Sequence, residues 1–267
     1  MSTPDRPSDP PTRTARTARG PFAYSEEGAG PTVLAIHGLP GSGRDFRWLA
    51  SALGGRVRLV RVDQPGFGAT PVRSGTGARL ADRVGFVRAA IDALALERVT
   101  ILGHSMGGPL AMAVAAADPR VERVALLASV GLHPHRMARR IQRSPDVARL
   151  LGVPGVARAL APVMRRGFRR AGFPASTPLG EMVEATRIVY QLSFADHRAA
   201  ARGLRQPTLL AWARDDRLVE EAIGLSLATE LPPGPRLVFE DGGHNIQKTQ
   251  ATELAEALSR FAEGGTE

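Results

Sequence analysis

Two hydrophobic periods alternate along the first half of the chain. Short apolar, β-branched runs at "TVLAI" (32–36), "RVRLVRVD" (56–63), "RVTILG" (98–103) and "VERVALLAS" (121–129) read as strands. Between them, "RDFRWLASAL" (44–53), "LADRVGFVRAAIDAL" (80–94) and "MGGPLAMAVAAADP" (106–119) carry helical spacing. Gly85 weakens the second helix. Pro109 is tolerated in the third because it falls in the first turn, where an N–H has no partner to lose. This alternation predicts an α/β fold, a mostly parallel doubly wound sheet with helices on both faces. Upstream, "GPFAYSEEGAG" (20–30) suits one short edge strand before a turn. Residues 1–20 are rich in Pro, Thr and Arg and nearly devoid of large apolar side chains, which predicts a disordered tail.

The rhythm breaks at Gly131. Residues 132–206 are helical in composition, with breakers at Pro134, Pro145, Pro154, Pro162, Pro174 and Pro178, and no strand is visible. The α/β pattern resumes with "PTLLAWA" (207–213), "RLVFED" (236–241) and the helix "ATELAEALSRFA" (251–262). The expected organisation is a core of residues 21–131 and 207–267, with a helical block, 132–206, inserted between two core strands. Long insertions at strand ends cost little and are often functional. Within the block, Leu150, Leu151, Val153, Val156, Leu160, Val163 and Met164 are expected to lie beneath a solvated arginine-rich face.

Charge is concentrated in that block. The chain carries a net +9, and residues 132–206 hold 14 Arg against 4 acids. No nucleic-acid motif accompanies the arginines, so a nucleic-acid partner is not expected. A basic pocket mouth or a surface touching acidic lipid stays open as a reading. Cysteine is absent, which excludes disulfides, thiol catalysis and thiolate metal sites. The N-terminus lacks a signal-like apolar segment, and the longest apolar run is too short to span a bilayer. A cytoplasmic protein without an integral membrane segment is the expectation.

Chemistry concentrates at "GHSMGG" (103–108), where a strand ends and a helix begins. A serine there sits on a tight turn above the carboxyl ends of the strands. Gly103 and Gly107 keep side chains out of the bend, and the helix N-terminus points unpaired N–H groups at the same spot. A serine hydroxyl needs a base, and the base an orienting acid. His244, in the glycine-flanked loop "EDGGHNI", can reach over Ser105. The acid comes from "AWARDDRLVE", where Asp215 or Asp216 can serve, but not both. Of the other histidines, His104 is expected to point elsewhere on the turn and His37 to brace a loop. His197 suits a surface role. His133 and His135, without nearby carboxylates, make a weak metal site, so no metal or cofactor is expected.

Five motifs in this order resemble the α/β-hydrolase fold with a helical cap: "HGLPGSG", "DQPGFGAT", "GHSMGG", "ARDDRLV" and "GGHNI". The resemblance covers residues 22–263. It implies a catalytic triad of Ser105, Asp216 and His244, Asp216 being favoured by the family's G-x-x-D turn. Ala213 and Glu220 depart from that pattern. It also implies an oxyanion hole made by the backbone N–H groups of Leu39 and Met106. The implied activity is a serine hydrolase cleaving an ester-type bond of a small to medium, largely apolar small-molecule substrate. Dehalogenases and epoxide hydrolases of this fold use an aspartate nucleophile, which Ser105 argues against. Carbon–carbon bond hydrolases, thioesterases, lactonases, perhydrolases and acyltransferases share the serine triad. A ligand-binding or signalling protein with little turnover is the reading from another class.

Overall fold

The computed structural model describes residues 7–72, 77–136, 138–139, 150–153 and 155–265. In chain order the elements are β1 (Arg13–Thr17), β2 (Gly20–Glu27), β3 (Thr32–Ile36), α1 (Arg47–Leu53), β4 (Arg58–Val62), α2 (Leu80–Ala93), β5 (Val99–His104), α3 (Gly107–Ala117) and β6 (Val121–Leu127). After these come α4 (Val156–Arg170), α5 (Leu179–Tyr190), α6 (Phe194–Gly203), β7 (Thr208–Ala213), α7 (Glu221–Glu230), β8 (Arg236–Phe239) and α8 (Ala251–Glu263). The eight strands form one sheet in the order β1-β2-β4-β3-β5-β6-β7-β8. β2 runs antiparallel to both neighbours, and every other pairing is parallel.

Parallel pairing with helical crossovers covers both faces of the sheet, which is why β5 and β7 are buried at every position rather than alternately. In β3, Leu34 and Ile36 join one apolar layer with Val87, Ile91 and Leu110 of α2 and α3. Val33 and Ala35 point the other way, into a layer with Leu49, Leu53, Leu254 and Phe261 of α1 and α8. Each of these larger side chains, fully buried, contributes about 1.5–3 kcal/mol, and the Ala35 methyl less. The resulting slab fixes the carboxyl ends of β3, β5, β7 and β8 along one rim, where the loops of interest emerge. Among the described residues, no helix is long and apolar enough to cross a membrane.

The structure corrects the reading of the fold in four places. The segment read as a disordered tail contains β1, which takes the sheet edge and makes β2 an interior strand. Ala15 packs on the core, Arg13 pairs with Glu26, and Asp9 meets the buried guanidinium of Arg61 at 3.0 Å. These anchors outweigh the polar composition. Residues 1–6 of that segment lie outside the described residues, as do Pro145 and Pro154. Second, α6 belongs to the core rather than the inserted block, because Phe194, Ala200, Ala201 and Leu204 pack in the layer that holds α3. It is the crossover helix that parallel β6 and β7 require. Third, Pro162 does not break α4. The helix runs over the surface, where water can solvate the carbonyl left without a donor. Fourth, Leu150 and Val153, ahead of α4, and Val163, on the side of α4 turned away from α5, are exposed rather than covered.

Candidate active site

β5 delivers Ser105 to the rim and α3 leaves immediately after it. Ser105 sits at φ 53°, in the left-handed region that non-glycine residues rarely adopt. Its backbone is held there from both sides. The Ser105 N–H donates to the Leu127 carbonyl, and its own carbonyl accepts from the Gly108 and Val130 N–H groups. The flanking glycines are needed for close approach, not for φ. A Cβ on Gly103 would stand 2.4 Å from the Gly107 carbonyl oxygen, and one on Gly107 would stand 2.3 Å from the Ile36 carbonyl oxygen.

His244 arrives on the loop after β8, whose Gly242 and Gly243 take φ of 136° and 62°. Its Nε2 lies 2.8 Å from the Ser105 Oγ, and its Nδ1 lies 2.7 Å from the Asp216 Oδ2. With Nδ1 donating to the carboxylate, Nε2 is left to accept from the hydroxyl. The other Asp216 oxygen, Oδ1, accepts the backbone N–H groups of Leu218 and Val219 at 2.8 and 3.0 Å. Burial works to raise the Asp216 pKa, but the hydrogen bond and charge of His244 and the two N–H groups outweigh it, and the carboxyl ends below its ordinary range. Asp215 points elsewhere and accepts the Gly243 N–H at 2.7 Å, so it pins the loop that carries His244.

The loop after β3 stands opposite. His37 is buried, its Nδ1 donating to the Gly38 carbonyl at 2.7 Å and its Nε2 accepting the Gln64 N–H at 2.9 Å. The Gln64 side-chain amide donates to the His37 carbonyl at 2.8 Å. Burial lowers the His37 pKa, consistent with a neutral ring that both donates and accepts. The N–H groups of Leu39 and Met106 enter no backbone hydrogen bond among the described residues. Their side chains pack in one apolar cluster with Phe67, Phe168 of α4, and Ala185 and Ile188 of α5. The inserted helices therefore roof this side of the site with apolar surface.

The remaining histidines divide. His104 turns its Nε2 to the His244 carbonyl at 2.9 Å, and burial drives its pKa down to about 3. It joins the elbow to the His244 loop, a role the sequence did not reveal. His197 is buried and donates to the Gly131 carbonyl at 3.0 Å, contrary to the surface role expected for it. His133 is exposed while His135 is buried, so the two do not converge. Two devices seat the inserted block on the core. Glu220 accepts the Arg136 N–H at 3.0 Å and the Arg139 guanidinium at 2.8 Å. Glu184 of α5 meets Arg83 of α2 at 2.7 Å.

The family model described as "Alpha/beta hydrolase family" matches residues 33–257. A 2-hydroxy-6-oxononadienedioate/2-hydroxy-6-oxononatrienedioate hydrolase of Cupriavidus pinatubonensis is 30% identical over 263 residues, spanning 89% of this chain and 87% of the relative. A 2-hydroxy-6-oxo-2,4-heptadienoate hydrolase of Pseudomonas putida is 28% identical over 88% of this chain and 90% of its own length. Among solved structures, an alpha/beta hydrolase fold protein from Burkholderia ambifaria superposes with a TM-score of 0.77 at 20% identity, covering 94% of this chain and 98% of that one.

Proposed function

The chain belongs to the alpha/beta hydrolase family, and on that footing we propose that it is a serine hydrolase working through an acyl-enzyme at Ser105. The observation that carries the proposal is the unbroken relay Ser105 Oγ to His244 Nε2, then His244 Nδ1 to Asp216, at 2.8 and 2.7 Å. His244 takes the hydroxyl proton as Ser105 Oγ bonds to the carbonyl carbon. The negative oxygen that forms is held by the Leu39 and Met106 N–H groups, each worth on the order of 10²–10³ in rate. Collapse breaks the bond to the leaving group, which receives the proton from His244. Water repeats the sequence on the acyl-enzyme and releases the acid. Asp216 keeps the ring in the correct tautomer and stabilises the imidazolium.

The apolar cluster beside the two N–H groups favours a small to medium acyl portion of low polarity, and a carboxylic ester is the substrate class we assign. The 30% identical relative supports a second reading, hydrolysis of a carbon–carbon bond beside a ketone, with the same serine adding to the ketone carbonyl. A fluorophosphonate probe tests the nucleophile, with nitrophenyl esters and a 2-hydroxy-6-oxo-dienoate as alternative substrates. Stoichiometric labelling of Ser105, with turnover abolished in Ser105→Ala, is expected. Folded protein that takes no label refutes the mechanism. Labelling with turnover of the dienoate alone selects the second reading, and labelling with no turnover at all favours a ligand-binding role.

A further inference from the structure

The buried ion pair between Arg83 and Glu184 lies outside the proton relay, yet it touches the loops that shape it. Arg83 stands in the first turn of α2 and Glu184 on α5 of the inserted block, and their side chains are 5% and 3% exposed. Two charges so far from water are costly, and a pair of this kind contributes little net stability. Its value must therefore be sought in what it holds.

Arg83 has a second set of contacts. Its Nη1 lies 3.4 Å from the Gln64 side-chain oxygen and 3.5 Å from the Pro65 carbonyl, and its guanidinium approaches the Phe67 ring. Gln64 in turn holds His37 through two hydrogen bonds of 2.8 and 2.9 Å, and His37 holds the Gly38 carbonyl. The next residue is Leu39, whose N–H is one of the two proposed oxyanion donors. Glu184 packs directly on the same loop. A Cβ on Gly66 would stand 2.8 Å from the Glu184 Cγ, and Glu181, one turn earlier, accepts the Gly68 N–H at 3.2 Å. A continuous path thus runs from the inserted block to the oxyanion loop.

We propose that Arg83 is a positioning residue: clamped by Glu184, its guanidinium props the Gln64–His37 pair, so that the seating of α5 sets the placement of the Leu39 N–H. Rotation of the Gln64 amide away from His37 would release the peptide between His37 and Leu39. Glu184 supplies the opposing charge that keeps Arg83 turned toward Gln64 instead of toward solvent. The role rests on the serine-hydrolase reading, because it acts through an oxyanion donor of that mechanism.

The test is the double variant Arg83→Met/Glu184→Met, which removes both charges and leaves an unbranched apolar side chain at each position, so that neither charge is left buried alone. The readouts are the thermal midpoint and the second-order rate of fluorophosphonate labelling, which needs the same oxyanion donors as acyl transfer. A midpoint close to the wild type, complete labelling at long times, and a labelling rate roughly 10²-fold lower are expected, the loss typical of a reacting group misplaced by about 1 Å. Gln64→Leu should lower the rate similarly, and adding it to the double variant should lower it little further, because both changes cut one path. A purely structural pair predicts a lowered midpoint with an unchanged labelling rate. A double variant that labels at the wild-type rate, or a Gln64→Leu effect that multiplies fully with it, overturns the positioning role and leaves the serine mechanism standing. Failure of the wild type to label overturns both.

Discussion

Replacing Asp216 by Asn asks whether the acid sets the tautomer of His244. The two oxygens of Asp216 are not equivalent. Oδ1 accepts two backbone N–H groups, from Leu218 and Val219, whereas Oδ2 faces His244 Nδ1. An asparagine must keep its carbonyl oxygen where the two N–H groups point, because an amide NH₂ there would leave three donors facing one another. Its NH₂ then faces His244 Nδ1 and forces that nitrogen to accept. The ring proton moves to Nε2, which now presents a donor to the Ser105 hydroxyl and cannot take its proton. A triad with this tautomer error loses on the order of 10⁴ in kcat, about 5.4 kcal/mol at 1.36 kcal/mol per tenfold. Stability should change little, since both backbone hydrogen bonds survive. Steady-state hydrolysis of a nitrophenyl ester, with thermal melting as the control for folding, measures both effects. Asp215→Asn is the companion variant. It keeps an oxygen for the Gly243 N–H and should retain activity within about tenfold, a loss of 1.36 kcal/mol or less. Full activity in Asp216→Asn with collapse in Asp215→Asn would refute the assignment.

Two further outcomes follow from the fold. Gly107→Ala places a methyl 2.3 Å from the Ile36 carbonyl oxygen, so α3 must shift from β3; kcat and thermal midpoint should fall together, whereas a well-folded, fully active variant would show that the elbow tolerates displacement. Asp118 has its pKa lowered to about 2, chiefly by the side-chain hydrogen bond from Arg120. Because the folded value lies below the unfolded one, its stabilisation is present above about pH 4 and is lost as pH falls toward 2. The wild-type minus Asp118→Asn difference in melting temperature should accordingly shrink across that window; a difference independent of pH would show that the charge is not what matters.

The sheet was legible because each central strand and its crossover helix have distinct hydrophobic periods; the strand read at 32–36 is Thr32–Ile36, and the helix read at 80–94 ends one residue earlier, at Ala93. Ser105 and His244 stood out because each lies in a glycine-flanked turn at a strand end, whereas "ARDDRLV" has no such glycine and only the family resemblance favoured Asp216 over Asp215. The structure sets Ser105, His244 and Asp216 within hydrogen-bond reach in series, and among the described residues the N–H groups of Leu39 and Met106 enter no backbone hydrogen bond. What escaped the sequence rests on contacts distant in the chain. β1 was hidden because its anchors, Asp9 to Arg61 and Ala15 to the core, are tertiary. α6 looked like part of the helical block because helical composition does not say what a helix packs against. His104, Gln64 and Arg83 gave no local signal, since a buried hydrogen-bonding role depends on partners many residues away. Glu220 did give one. It was noted as a departure from the common pattern, and it is the residue that ties the inserted block to the loop bearing Asp216.

The distance along the chain between the reacting groups has a consequence for biosynthesis. Ser105 and His244 are 139 residues apart, with the inserted block and the Asp216 loop between them. At roughly 5–20 residues per second, the serine leaves the ribosome well before its base is made, by about 7–28 s. During that interval β3, β5 and β6 can already pair and present the hydroxyl, but nothing is there to take its proton. Under the proposed mechanism, the nascent protein would not yet attack esters or thioesters. On that mechanism, reactivity would begin only when the last strand, with the histidine loop behind it, has docked.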